Sequence, residues 1–392
     1  MDSVHLPRRL LLAGIGSAAV ATVAGCESRG ATSATPRPTT TARPSRAPRG
    51  HDAALRRKIA SLLVVGFRGD RVSDGDWIVK AVRGGLGGVI LFDQDLETKS
   101  VRNIRSPGQV TRLVKSLKDA SPGRLIVSID QEGGRTSRLN PSNGFPATKS
   151  EAEIGAENSP ATTRKWARGL VASLTRIGAN VNYAPVVDLN INPDSRAIGK
   201  LGRSFSADPD VVVSNATEEI QAHRAAGVKT SLKHFPGLGS AAGNTDFEVV
   251  DVSDTWQQIE LEPYQRLIQA GLADSVLAAH VLNKQLDPAY PASLSTATVT
   301  GLLRGRLGWH GPVVSDDMQA AAITERYGAA EAAALALQAG LDLLVFANQQ
   351  VYNPRVVEET VDTIVNLVRT GRFTEDRIDQ SVARVDSLRP KR

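Results

Sequence analysis

The chain has 392 residues, 41% of them hydrophobic and only 4% aromatic, with a formal net charge of +6. That length holds one large domain or two ordinary ones, and a single cysteine excludes an internal disulfide. Residues 1–58 hold ten Lys/Arg against three Asp/Glu and the remainder 37 against 38, so the positive charge belongs to the N-terminal segment and is no sign of nucleic-acid binding.

The first element is "PRRLLLAGIGSAAVATVAGC" (7–26), a pair of arginines, an apolar run and small residues before Cys26. This is the pattern of a secretory signal. The run is short for a spanning helix, which needs about 20 apolar residues. Val23-Ala24-Gly25-Cys26 resembles a bacterial lipobox, which implies removal of residues 1–25, lipidation of Cys26 and anchoring to the outer face of the cytoplasmic membrane. Export by the general or the twin-arginine route stays open. Residues 26–50 are rich in Pro, Thr, Ser, Ala and Arg, a composition that buries no core and predicts a disordered tether. Its charge suits anionic lipid headgroups.

Residues 51–392 show no further break in composition and are expected to form one domain. Eight short, β-branched apolar runs follow in order: 61–67, 87–92, 124–130, 179–185, 228–235, 275–280, 311–316 and 341–346. Near-continuous apolar runs suit parallel strands buried on both faces. Helical patterns lie between them, for example at 106–120 and 329–340, and the last helices, at about 354–388, close the outer ring. Alternation of this kind predicts a (β/α)₈ barrel. The rival, an open doubly wound sheet, lacks its G-x-G-x-x-G after the first strand.

Polar residues collect just after these runs: Asp130, Asp188 and Arg203, Lys233 and His234, His280, and Asp316. In a barrel all of them face one mouth, where the active site is built. In "SIDQEGGRTSRL" (128–139), Asp130 is placed to accept hydrogen bonds from sugar hydroxyls, while Glu132 and Arg135 form a candidate buried pair. In "VVSDDMQ" (313–319), strand alternation sends Asp316 and Asp317 in opposite directions, one into the mouth and the other to a cap. Asp316 is a candidate nucleophile for a retaining glycosidase. The histidines do not fall at metal-ligand spacing, and no P-loop or dinucleotide fingerprint appears, so neither metal nor cofactor is expected.

The segments "GGVILFD", "IDQEGGRTSRL", "FPAT", "NYAPVVDLN", "GRSFSADP", "KHFPGLG", "YPASLS" and "GPVVSDDM" occur in order. Over roughly residues 55–390 the chain resembles the N-terminal barrel domain of glycoside hydrolase family 3, above all its single-domain bacterial β-N-acetylhexosaminidases. The resemblance implies a monomer acting on a carbohydrate, a terminal β-linked N-acetylhexosaminide from peptidoglycan fragments. It places Asp316 on the nucleophile and Asp130, Arg138, Arg203, Lys233 and His234 on substrate-binding positions. It also exposes a departure. In the hexosaminidase branch a Gly-His-Gly follows the proline, and an Asp-Ser-His triplet further along the loop supplies a histidine acid/base. Counted without gaps from Lys233, this chain has Leu238 at the first histidine and Asn244-Thr245-Asp246 at the triplet. Three readings follow: Asp246 replaces the histidine as acid/base, with Glu248 as a substitute on the same loop; the barrel binds sugar but hydrolyses it poorly; or the protein is β-glucosidase-like. The small residues of "GLGSAAGN" (237–244) suggest a flexible lid.

Overall fold

The computed structural model describes residues 49–391. The expected signal peptide, the lipidation site Cys26 and nearly all of the expected tether lie outside the described residues. Helix Arg49–Ala60 opens the described chain, so regular structure begins two residues before the expected boundary at 51. Among the described residues no helix is long and apolar enough to cross a membrane.

The eight apolar runs form eight parallel staves: β1 (Leu63–Gly66), β2 (Gly88–Ile90), β3 (Ile126–Ile129), β4 (Val181–Asn182), β5 (Lys229–Thr230 continued by Leu232–Phe235), β6 (Val276–Ala278), β7 (Val313–Asp317) and β8 (Leu343–Phe346). Each stave lies inside its predicted run except β7, which extends one residue further, to Asp317. Neighbouring staves pair in parallel in sequence order, and β1 pairs with β8 as well as β2. The ring closes through β5, which breaks at Ser231: its first half pairs with β4 and its second with β6. Ser231 N donates to Ala184 O at 3.0 Å and Val187 N to Lys233 O at 2.9 Å, joining the second half back to the β4 side. At the break Asp274 Oδ2 accepts from Thr230 N at 3.2 Å and Ser275 Oγ donates to Thr230 O at 2.9 Å, so the interrupted ladder strands no backbone group.

β4 is much shorter than its run because side chains take over the ladder. Asn180 accepts from Val127 N and donates to Leu125 O, both at 2.9 Å; Asn182 accepts from Gln131 N at 2.9 Å and donates to Gln131 O at 3.0 Å. These buried amides each pair a donor and an acceptor with β3 or the residues flanking it, as a backbone unit would.

The surrounding helices follow from local signals. Ser106 and Gln109 form a capping box on helix Pro107–Ala120, whose Val110, Leu113, Val114 and Leu117 are buried at helical spacing. Helix Ala329–Ala339 buries most of its length and stops at Gly340, whose φ of 114° suits glycine. Helices Val356–Arg369 and Glu375–Val385 complete the outer layer. At the start of β8 the fully buried Asp342 accepts from Arg304 at 2.6 Å, Arg384 at 3.1 Å, Arg377 at 3.4 Å and Ser381 Oγ at 2.7 Å. This charged node ties the last helix to the end of the barrel opposite the polar strand ends.

Candidate active site

The C-terminal strand ends and their loops enclose a cleft of about 450 Å³. Asp130, Arg138, Arg203, Lys233, His234, Asp246 and Asp316 all line it. The barrel therefore brings together the nucleophile, the first-choice acid and the five substrate-binding residues predicted from the sequence, whereas Asp188 and His280, expected at the same mouth, are buried and do not line the cleft.

Lys233, at the end of β5, is only 2% exposed. Its Nζ lies 2.9 Å from Asp130 Oδ1 and 2.6 Å from Glu132 Oε1. Burial alone would lower its pKa, but the two carboxylates raise it above the ordinary lysine value, so it stays an ammonium. Arg203 forms a fork-to-fork pair with Glu132, both contacts at 2.7 Å, and donates to Ala197 O at 2.9 Å. Glu132 is 1% exposed; burial opposes its ionisation, yet Arg203 and Lys233 hold its carboxyl below the usual range. The expected Glu132–Arg135 pair is not formed. Arg135 instead donates to Lys200 O at 3.4 Å, and Glu132 anchors the two cations that face the cleft. Arg138 approaches Asp130 at 3.9 Å and lies 5.4 Å from the Phe92 ring centroid.

His234 Nδ1 is 2.7 Å from Asp188 Oδ2, and its Nε2 is 3.2 Å from the Arg203 guanidinium. Arginine only donates, so Nε2 accepts and Nδ1–H points at Asp188. Asp188, fully buried at the end of the β4 run, also accepts from the backbone of His234 at 3.2 Å and of Leu238 at 2.8 Å. It thus orients the ring and the start of the following loop together.

Asp316 and Asp317 take different partners, but not as alternation predicts: both border the cleft, and Asp317 holds backbone groups rather than capping the next helix. Asp316 lines the cleft, and its Oδ1 accepts the Asp317 N–H at 2.9 Å. Burial alone would raise its pKa; the rings of His280 and His234, the Asp317 N–H and Lys233 outweigh it and hold the carboxyl below its ordinary value. Asp317 turns to the backbone, where its Oδ1 accepts from Ala347 N at 2.9 Å and Gln319 N at 3.1 Å. His280 is buried between Ser293 Oγ at 2.6 Å and Asp317 O at 2.9 Å, and burial lowers its pKa.

Asp246 sits on the loop after β5. Burial first, and the charge of Asp316 second, push its carboxyl up to about 6. The two acids thus share one cleft with their pKa values driven apart, which separates a carboxylate from a proton carrier. Glu248 does not reach the cleft. Its carboxylate pairs with Arg196 and accepts from Asn244 N at 3.2 Å, bracing the loop from outside.

The loop is not the loose lid its composition suggests. Leu238, Gly239, Ser240 and Ala241 are buried, Gly239 O accepts from Asn192 N at 3.0 Å, and Ala242 O accepts from Arg196 N at 3.2 Å. A Cβ on Gly239 would lie 1.6 Å from Leu189 O, so glycine here permits close packing. On the other side Thr245 O and Asp246 O accept from Ala322 N and Ala321 N, both at 3.2 Å. The acid-bearing turn is therefore held by the loops after β4 and β7.

The sequence marks Asp188 only as one more mouth-facing residue; it does not show the hold of Asp188 on His234, nor the supporting contacts of Glu132 and Asp317. Each of the three lies within three residues of a predicted stave, and each is a buried acid whose carboxyl group holds a neighbouring cleft residue or the backbone beside it. Among the described residues no group of three or more His, Cys, Asp or Glu side chains is arranged to hold a metal ion.

The family model for the glycosyl hydrolase family 3 N terminal domain matches residues 54–388. The β-hexosaminidase LpqI of Mycobacterium tuberculosis is 33% identical over 371 residues, covering 92% of this chain and 89% of the relative. A solved glycoside hydrolase family 3 β-N-acetylglucosaminidase from Paenibacillus sp. matches with a TM-score of 0.77 at 33% identity, covering 85% of this chain and 62% of that one, so the chain spans less than two thirds of that protein. A β-N-acetylhexosaminidase from Beutenbergia cavernae matches with a TM-score of 0.75 at 30% identity, covering 85% of this chain and 97% of that one. With the barrel, the strand-end cleft and its paired acids in place, the chain belongs to glycosyl hydrolase family 3, through the N-terminal domain of that family.

Proposed function

We propose that this protein is a retaining glycoside hydrolase that releases a terminal β-linked N-acetylhexosamine, with Asp316 as nucleophile and Asp246 as acid/base. The observation that carries the assignment of roles is the opposed pair in one cleft, Asp316 held below its ordinary pKa and Asp246 raised to about 6. In the first step an Asp316 carboxylate oxygen attacks the anomeric carbon. The bond to the leaving oxygen breaks, and that oxygen takes the Asp246 proton. In the second step Asp246, now a carboxylate, takes a proton from water. The water oxygen bonds the anomeric carbon, and Asp316 leaves as a carboxylate.

Asp130, Arg138, Lys233 and His234 are proposed to hold the sugar. Arg203 spends most of its donors on Glu132, Ala197 O and His234, so its share in sugar binding is chiefly to set the other groups. The names of the relatives support an N-acetylhexosaminide as substrate. Peptidoglycan fragments are the proposed natural source, consistent with export and a lipid anchor at Cys26 read from the sequence. The proposed organisation is a signal peptide over 1–25, a tether over 26–50 and the barrel domain over 51–392.

The test is turnover of aryl β-N-acetylglucosaminide beside aryl β-glucoside by the wild type, Asp316→Ala and Asp246→Ala. Preference for the N-acetylated substrate and loss of activity in Asp316→Ala are expected. Full activity in Asp316→Ala, or sugar binding without turnover by the wild type, sinks the assignment. Cys26→Ala tests the anchor separately, and the altered protein is expected in the aqueous fraction after detergent phase separation.

A further inference from the structure

Asp317 has no part in the two steps above, yet four residues bond to it. Its N–H is donated to Asp316 Oδ1 at 2.9 Å, its C=O accepts from His280 Nε2 at 2.9 Å, and its Oδ1 takes both Ala347 N and Gln319 N. The residue is 7% exposed, and its second oxygen, Oδ2, is buried with no protein donor within hydrogen-bond reach. An ionised carboxylate left half-unpaired inside a protein is costly. A proton on Oδ2 removes the charge and leaves Oδ1 free to accept both N–H groups.

We propose that Asp317 is the positioning residue of the nucleophile: kept as a neutral acid, it pins the end of β7 to β8 and so fixes Asp316 and His280. Four titratable groups surround it. Asp316 precedes it on β7, and Asp246 faces it from the loop after β5. His280 bonds its carbonyl from the end of β6. The buried Arg102 feels its charge but spends its hydrogen bonds on Asp95, Gln349 and main-chain carbonyls, with none to Asp317. Two acids and one committed cation give an Asp317 carboxylate no partner. In agreement, burial first, and the charges of Asp246 and Asp316 after it, outweigh the two N–H donors and hold its proton up to about 7. Above that, Oδ2 must find a donor elsewhere, and the backbone that holds Asp316 and His280 moves with it.

This inference rests on the roles proposed for Asp316 and Asp246, and its test separates the two. The kcat/KM for a dinitrophenyl β-N-acetylglucosaminide, whose leaving group needs no proton, is followed against pH. In the wild type it is expected to fall about tenfold per unit above about pH 7. In Asp317→Asn, which keeps an Oδ1 acceptor but has no proton to lose, that limb disappears, whatever the height of the plateau. A purely structural Asp317 gives superimposable profiles, and that result overturns the proposal. Stability gives a readout that needs no turnover. The raised pKa means the wild type loses stability as pH rises from the unfolded value of 3.8 to about 7. The Tm of the wild type should therefore drop by a few degrees relative to Asp317→Asn between about pH 5 and about pH 8; parallel curves count against the proposal. If the variant does not fold, a carboxyl-carbon NMR titration of the wild type decides, and an Asp317 already ionised at about pH 5 overturns the idea. A wild type that cleaves no glycoside defeats the proposed function instead, while the thermal and NMR measurements still judge Asp317.

Discussion

Asp246→Asn is the sharpest probe of the reaction. Asp246 is raised from 3.8 to about 6, which corresponds to about 3 kcal/mol between its protonation states. At about pH 7 roughly one molecule in ten then carries the proton, against roughly one in a thousand or fewer for an unshifted aspartic acid. The cleft thus supplies about a hundredfold more of the competent acid at neutral pH. In the wild type, kcat/KM for a substrate with a poor leaving group should show a basic limb near pH 6. The acidic limb, set by Asp316, should lie below 3.8. Asp246→Asn should lose about 10²- to 10⁴-fold on that substrate, together with the limb near 6, yet stay within about tenfold of the wild type on the dinitrophenyl substrate. Steady-state kinetics on the two substrates across the pH range reads all of this. Equal loss on both, or a surviving limb near 6 in the variant, would refute the reasoning that Asp246 is the proton donor.

Asp342→Asn should cost about 3–5 kcal/mol of stability, because three arginines then share a buried site without its charge; urea unfolding that shifts by less than about 1 kcal/mol contradicts that account. Glu248→Gln should retain kcat/KM within about twofold, since its carboxylate braces the loop outside the cleft. A loss beyond about tenfold on the poor leaving group alone would restore Glu248 as a proton donor.

The barrel and the cleft-facing half of the site were legible in the sequence for one shared reason. Buried parallel strands write continuous apolar runs, and the residues just past them must face the mouth. Asp130, Lys233, His234 and Asp316 could be placed by that rule without coordinates. The supporting half could not. Glu132 finds Arg203, 71 positions away, and not the nearby Arg135, because the barrel sets partners by the order of staves around the ring. Asp188 reads as one more polar residue after a strand until β5 brings His234 against it. The loop "GLGSAAGN" misled in another way. Small residues permit motion and close packing alike, and only the approach of Leu189 O to Gly239 decides for packing.

Under the proposed roles, a carboxyl in place of a histidine also changes how the two steps of the reaction depend on each other. The value near 6 for Asp246 owes its second-largest contribution to the charge of Asp316. When Asp316 becomes an ester of the sugar, that charge is gone, and the pull of Arg203 on Asp246 is opposed by less. The Asp246 carboxyl is then shifted toward its carboxylate, the form required to take a proton from water. When the ester is cleaved, the Asp316 charge returns and Asp246 again favours its proton. Under the proposed roles the acid and the base are one residue whose affinity for the proton follows the state of its neighbour. Asp316→Asn tests this coupling without turnover. With the charge removed and the shape kept, the Asp246 carboxyl signal in an NMR titration should move from about 6 toward the ordinary aspartate value of 3.8. A titration that stays near 6 would mean that burial alone sets it, and the coupling between the steps would have no basis.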